Sequence, residues 1–552
     1  MDKGVSAEAE AGEPPMVRTF RQILLYPLQL TRSPGQSPST ANWAPLLVPG
    51  CVWQEATADP NASSPEHRER HYSEFVAFMP DVQRFLYGEG SGASAAPGVV
   101  PPALRVFHRR DVVSARVILK PGAPAILFTV PRVELIFFHD VDLAMLAVEF
   151  AAENLTLAEA QDTLFRLGRA YPASWDEDGH GVHCCEEIEL LDAQGQVLAV
   201  ADYADKARYI ESVCDHRVSD VAAHWSFMLA PLVPEHRDGP GAIPYRLLEQ
   251  ERMPLLAHLA VDEARAIGRD DWVRLGLAAA PGRAGAAPFG AAYLEDFEAR
   301  YCYDRFWDNG RGHDHTATRM ICSGHAFLMV GEAANPRFVD AERGILAKFD
   351  QQYFLLAVIA HFHRATLMAF RDRLVTAMSI LSDYAPETVK AFKREIRLTH
   401  ENFLRFTHRY WFSEVSTQGP AHDIFARWVN LLGTERLFAE VREEVNDMMD
   451  YLDSDGLRRQ ANSVVRLTVV TFFGLIGTIA TGFLGMNLID LTQIPLFEKL
   501  LYLIAVLIPV SALTFYTAAK SQRLSEFLET VSDPRLSFRL KLRALKRVWH
   551  RG

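Results

Sequence analysis

The sequence predicts an α+β protein in three parts: an N-terminal cytoplasmic mixed α/β domain, a long stalk helix and a C-terminal two-helix transmembrane hairpin. Three observations predict it. Short β-rich runs alternate with helical patterns up to about residue 339. From Asp340 onward strand patterns disappear and long helical periodicity takes over. Near the C-terminus two segments, Leu467 to Ile489 and Leu500 to Ala519, carry no charge. Each has about 20 residues, the length needed to cross about 30 Å of hydrocarbon. The expected boundaries are a disordered tail over 1–19, the α/β domain over 20–339, a helical bundle and stalk over 340–462, the hairpin over 463–519 and a basic cytoplasmic tail over 520–552.

The tail, Met1 to Met16, is rich in Ala, Glu, Gly and Pro and lacks the basic start and apolar core of a signal peptide, so the N-terminus is expected in the cytoplasm. Phe20 to Leu30 reads as a first strand. Two Pro/Gly/Ser-rich loops follow, near 33–40 and 88–102. The runs Leu104 to His108, Val112 to Leu119, Ala125 to Val130, Val133 to Phe138 and Leu143 to Phe150 read as strands. Helical spacing covers Thr156 to Leu167, with Asn154 and Thr156 as candidate caps. Glu187 to Val200 reads as a hairpin about Ala193-Gln194-Gly195.

Helices are predicted from Ala341 to about Leu381, from Pro386 to Trp411, and from His422 onward. The apolar run Phe354 to Ala360 is too short to span a bilayer and reads as a buried helix face. Thr434 is a candidate cap for the last soluble helix, with Leu437, Val441, Val445 and Met448 on one apolar stripe. No Pro interrupts the chain from there to Leu484. One helix of about 50 residues would extend roughly 75 Å at 1.5 Å per residue, with Gly456 as its weak point.

Basic residues orient the hairpin. Arg458, Arg459 and Arg466 precede the first span and Lys520 and Arg523 follow the second, whereas the loop holds Lys499 with Asp490 and Glu498. Both termini are therefore expected on the cytoplasmic side. The basic tail either lies against anionic headgroups or is a solvated helix face. Gly474, Thr478 and Gly482 recur at intervals of four, a spacing that lets helices approach closely in lipid and favours an oligomer.

The whole chain of 552 residues is 49% hydrophobic and 23% charged, with a formal net charge of −12, which argues against nucleic acid as a partner and suits a protein that gathers cations. Six scattered cysteines form no CxxC pair, so neither a disulfide framework nor a zinc ribbon is indicated.

The first span ends Gly482-Phe483-Leu484-Gly485-Met486-Asn487. A Gly-Met-Asn triplet at the outer end of the penultimate of two C-terminal membrane helices is the signature of the CorA magnesium-transporter family, which Thr434 to Ser521 resembles. The resemblance implies a homopentamer in the bacterial inner membrane, in contact with lipid, that passes divalent cations inward: Mg²⁺, or alternatively Co²⁺ or Ni²⁺. It implies a selectivity ring of Gly485, Met486 and Asn487 at the outer mouth. Mg²⁺ dehydrates reluctantly, and neutral amide oxygens can accept hydrogen bonds from its water shell without stripping it.

Counting back from Asn487 on a helical period gives the pore face: Thr478, Leu475 or Gly474, Thr471, Leu467 or Thr468, and Val464. Leu467 and Val464 would form a hydrophobic constriction. The threonines either face the pore or back-bond to their own helix. Continued into the stalk, the period reaches Asp453 and Asp450, and Asp447, Asp450 and Asp453 are candidate regulatory carboxylates for Mg²⁺. The loop from Leu488 to Lys499 has fewer acids than many relatives carry. Two other readings stay open: a zinc transporter of the same superfamily, whose members often replace the Met of the triplet, and a non-conducting membrane-anchored cation sensor.

Other clusters read as non-sites. Asp176, Glu177, Asp178, His180, His183, Cys184 and Cys185 lack tetrahedral zinc spacing from a second ligand pair. His313-Asp314-His315 reads as an exposed loop, and His361 and His363 as packing residues. No catalytic triad, phosphate-binding Gly loop or nucleotide motif is placed, so no enzymatic role is expected.

Overall fold

Strand Met16–Leu30 organises the protein, and its sequence accounts for this: the stretch from Ile23 to Leu30 is buried on both faces. The computed structural model describes residues 15–31, 42–56, 65–88, 103–138, 141–237, 239, 241–282, 289–307, 317–380, 386–485 and 495–519. The fold is α+β, with a 14-stranded mixed sheet followed by long helices. The loops predicted near 33–40 and 88–102 lie, for nearly all their length, outside the described residues.

Met16–Leu30 pairs antiparallel with Leu143–Thr156 on one side and with Leu255–Val261 on the other. Leu255–Val261 runs parallel to Ala326–Glu332, and every residue of both strands is buried. That is the pattern of parallel strands covered on both faces. The predicted runs Ala125 to Val130 and Val133 to Phe138 are one strand, Ile126–Phe138, with an irregular register between Thr129 and Arg132. Pro131 lies inside this break, where its missing N–H donor is tolerated.

Thr156 caps the helix Leu157–Arg166 through a reciprocal capping box with Glu159: its hydroxyl accepts from the Glu159 N–H at 3.2 Å, and the Glu159 carboxylate accepts from the Thr156 N–H at 2.8 Å. Asn154, the other candidate cap, sits two residues before the helix cap with φ 57°.

Helices Phe354–Ile380 and Gly419–Leu431 pack on the sheet. Phe362, in helix Phe354–Ile380, stacks on Phe138 at 4.2 Å, and Arg132 lies over the Phe354 ring at 4.2 Å. Ile345–Ser379 is apolar and long enough to cross a membrane, but 83% of its apolar stretch is buried within the protein, so it is a core helix. A turn with π geometry, Phe349–Tyr353, interrupts its start. The expected division at residue 339 is not a division of the structure: the chain forms two compact units, 1–443 and 444–552, and helix Thr434–Gly485 runs through the boundary without a break. Gly456 does not interrupt it.

Candidate pore helix

The helix Thr434–Gly485 carries every predicted site residue except Met486 and Asn487, which lie outside the described residues. Its start differs from expectation. Thr434 is buried and its hydroxyl has no hydrogen-bond partner among the described residues, so it does not cap; Gly433, at φ 63°, makes the turn that begins the helix. Anchoring falls to an aromatic residue that the predicted stripe omitted: Phe438 stacks on Trp411 at 4.3 Å and on Phe403 at 5.7 Å. Of the stripe itself, Val441 and Val445 are buried.

The acidic stretch follows. At about 100° per residue, Glu440, Glu443, Glu444, Asp447 and Asp450 fall within about 120° of helix surface. Arg436 offsets one of them, lying 3.3 Å from Glu440. Asp447, Asp450 and Asp453 are all exposed. Among the described residues no group of three or more His, Cys, Asp or Glu side chains is arranged to hold a metal within one chain.

Beyond Val464 the helix has two faces. One is covered by the terminal helix Leu496–Ala519: Val469 is only 5% exposed, and a Cβ on Gly477 would lie 2.6 Å from Val510 Cγ1. The other carries Val464, Leu467, Thr471, Leu475, Thr478 and Gly485, all exposed, with Leu467 at 69% and Leu475 at 57%. Apart from Gly485, the first residue of the triplet, these are residues reached by the helical period, and they lie on the side the terminal helix leaves free. Gly474 and Gly482 would meet nothing within 4 Å if given a Cβ, so in one chain the predicted small-residue stripe is also unoccupied.

Thr468, Thr471, Thr478 and Thr481 each donate the hydroxyl hydrogen to the carbonyl four residues back, at 2.8 to 2.9 Å. Back-bonding is therefore how these side chains are held. It does not empty them of chemistry: a hydroxyl has one hydrogen and two lone pairs, so a back-bonded oxygen is left as an acceptor.

No protein-family model, curated protein or solved structure matches the chain.

Two helices of the described residues are long and apolar enough to cross a membrane, the buried Ile345–Ser379 and the exposed Leu496–Leu513; Ser463–Thr478 is a shorter apolar stretch within helix Thr434–Gly485. The terminal helix exposes large side chains along its length, including Phe497 and Ile508, and keeps Pro509 inside it.

The clusters set aside in the sequence are occupied by ordinary structure. Asp176 accepts from the N–H groups of Asp178 and His180, forming a turn, and His180 Nδ1 lies 2.8 Å from Glu186. Cys184 and Cys185 are buried, and burial pushes the Cys184 thiol up to about 12. His361 and His363 are buried packing residues, as expected; His363 Nε2 donates to the Tyr410 carbonyl at 2.6 Å. All six cysteines are free. His313-Asp314-His315 lies outside the described residues.

Proposed function

We propose that the chain is a divalent-cation channel, a homopentamer that carries Mg²⁺ passively across the bacterial inner membrane. The observation that supports it best is a coincidence of two independent features. The Gly485-Met486-Asn487 triplet ends an apolar helix, and the helical face leading back from it is exposed, opposite the side that packs on the terminal helix. Five such faces brought together would line a path with hydroxyl acceptors at Thr471 and Thr478 and an apolar constriction at Val464 and Leu467. The ring of Asn487 amides would meet the hydrated ion at the outer mouth. An inside-negative potential drives the flow, at about 2.3 kcal/mol per charge per 100 mV.

Regulation is assigned to the stalk. Like charge from Glu440 to Asp455 would be relieved by Mg²⁺ bridging carboxylates such as Asp447, Asp450 and Asp453 between protomers. Protease resistance of the cytoplasmic unit should then rise between zero and about 20 mM Mg²⁺, a range that saturates a millimolar site. Unchanged digestion would remove the regulatory role. For the channel itself, the full chain reconstituted in nanodiscs should weigh as a pentamer, and proteoliposomes should take up Mg²⁺ when a negative interior potential is imposed. A stable monomer or dimer in lipid would refute the shared pore.

A further inference from the structure

A cluster of arginines is built into the α/β unit of this acidic protein with too few carboxylates to balance it. The short segment 251–253 runs alongside 168–170: the Met253 N–H donates to the Gly168 carbonyl at 2.9 Å, and the Ala170 N–H donates to the Glu251 carbonyl at 2.7 Å. This places Arg169 and Arg252 directly opposite each other in an isolated antiparallel bridge. Like charges so placed repel each other. Arg166 joins Arg169 at the Phe165 ring, the two guanidiniums lying 5.7 and 5.0 Å from its centre.

The counter-charges are shared. Glu251 accepts from Arg169 at 3.2 Å, and Asp162 lies 3.4 Å from Arg166 but is also held by Lys120. Arg252 has no carboxylate partner among the described residues. Its Nη2 donates to the carbonyls of Leu277 and Ala278, both at 2.6 Å, at the end of helix Arg269–Gly276. Its Nε is buried with no hydrogen-bond partner among the described residues. His325 lies beside this segment, its carbonyl accepting from the Leu255 N–H at 2.9 Å, and its Nε2 is buried and equally unpartnered. His183 packs edge-on to Phe165 at 5.0 Å on the exposed side, in a left-handed conformation at φ 68°.

The field of the cluster is felt by its members. Burial, and then Arg169, lower the Arg252 guanidinium to about 10, so it is still charged at neutral pH. Burial, and then Arg252, hold the His325 imidazole well below its ordinary value.

We propose that Arg166, Arg169, Arg252, His183 and His325 form an oxyanion site that takes a phosphate group, either free phosphate or the phosphate of a nucleotide. Guanidinium donors match phosphate oxygens in pairs. A dianion supplies the missing counter-charge and accepts from the two unpartnered nitrogens, given the neutral His325 tautomer that carries its proton on Nε2. Glu251 competes with the dianion for the Arg169 guanidinium. This inference is independent of the transport reading.

The test is isothermal titration of the full chain in detergent, in magnesium-free buffer at constant ionic strength, with sodium phosphate and separately with sodium ATP. Saturable binding at one per chain is expected, tighter for ATP if the source is a nucleotide and not tighter if it is free phosphate. Arg252→Gln and Arg166→Gln should each weaken it by about tenfold or more, the worth of a charge-assisted hydrogen bond. Glu251→Gln should strengthen it, a direction that misfolding does not produce. If Arg252→Gln does not fold because its cap is lost, the Arg166 and Glu251 variants decide. No saturable heat, or binding indifferent to these variants, would show that the arginines only brace the fold and would overturn the site.

Discussion

His224, His258, His361 and His363 are buried, and none has a carboxylate partner among the described residues. Burial lowers their imidazoles to about 3, 3, 3 and 4. The folded values lie below the ordinary one of about 6.5, so the unfolded chain binds more protons below that pH and stability falls as pH falls. Stability of the unit 1–443 is therefore expected to hold above about pH 6.5 and to decline between about pH 6.5 and 4, by up to about 1.4 kcal/mol per pH unit for each histidine. His224 isolates the effect, because neither of its ring nitrogens has a hydrogen-bond partner among the described residues. His224→Leu should change stability little at pH 7.5 and remove about one proton from the slope of a denaturant series below pH 6. A slope unchanged from wild type would contradict the assignment. At this scale the packing role of His361 and His363 was legible, because an apolar run surrounds them. The arginine cluster was not: Arg166 and Arg169 are distant in sequence from Arg252, and only strand pairing brings them together.

At the scale of elements, the two apolar helices test which glycine does what. A side chain at Gly477 meets Val510 of the terminal helix, whereas one at Gly474 meets nothing in its own chain. Gly477→Leu should force the helices apart, lowering the thermal stability of the detergent-solubilised chain. Gly474→Leu should leave the single chain folded and shift light-scattering mass below that of the wild-type assembly, because the free stripe is where neighbouring copies would approach. Equal effects of the two substitutions would remove the distinction between the faces. Elsewhere, the capping box of Thr156 gives a simpler expectation: Thr156→Ala should cost about 1 kcal/mol in a denaturant melt. That cap was readable because Thr and Glu stand three apart before an apolar run. The stalk's anchoring was misread at Thr434, since a preceding glycine turn and Phe438 stacking do the work a cap would have done. Gly477 was passed over because its partner lies on another helix and its spacing from Gly474 gives no sign of it.

For the whole molecule, the sequence separated strands from helices near residue 340 correctly, but that change of element type is not a change of unit. Helix Phe354–Ile380 is apolar around much of its surface because sheet and helices both bury it. The compact division comes instead at Glu443 and Glu444, inside one continuous helix. The strand order, with Met16–Leu30 at the centre of a 14-stranded sheet, was beyond reach, because pairings between residues more than 100 apart leave no local pattern. The proposed selectivity ring rests on Asn487, so its substitution tests the channel most directly. Asn487→Ala removes the acceptor from every copy of the ring at once. If the ring lies near the lipid–water boundary, as proposed, water replaces the lost hydrogen bonds, and stability should change by no more than about 0.5 kcal/mol. The measurement is potential-driven Mg²⁺ uptake by proteoliposomes holding wild-type or Asn487→Ala protein, each first shown to be a pentamer. Uptake by the wild type and near loss of it in the variant, with assembly unchanged, are expected; a correctly assembled Asn487→Ala pentamer that takes up Mg²⁺ at the wild-type rate would contradict the selectivity ring.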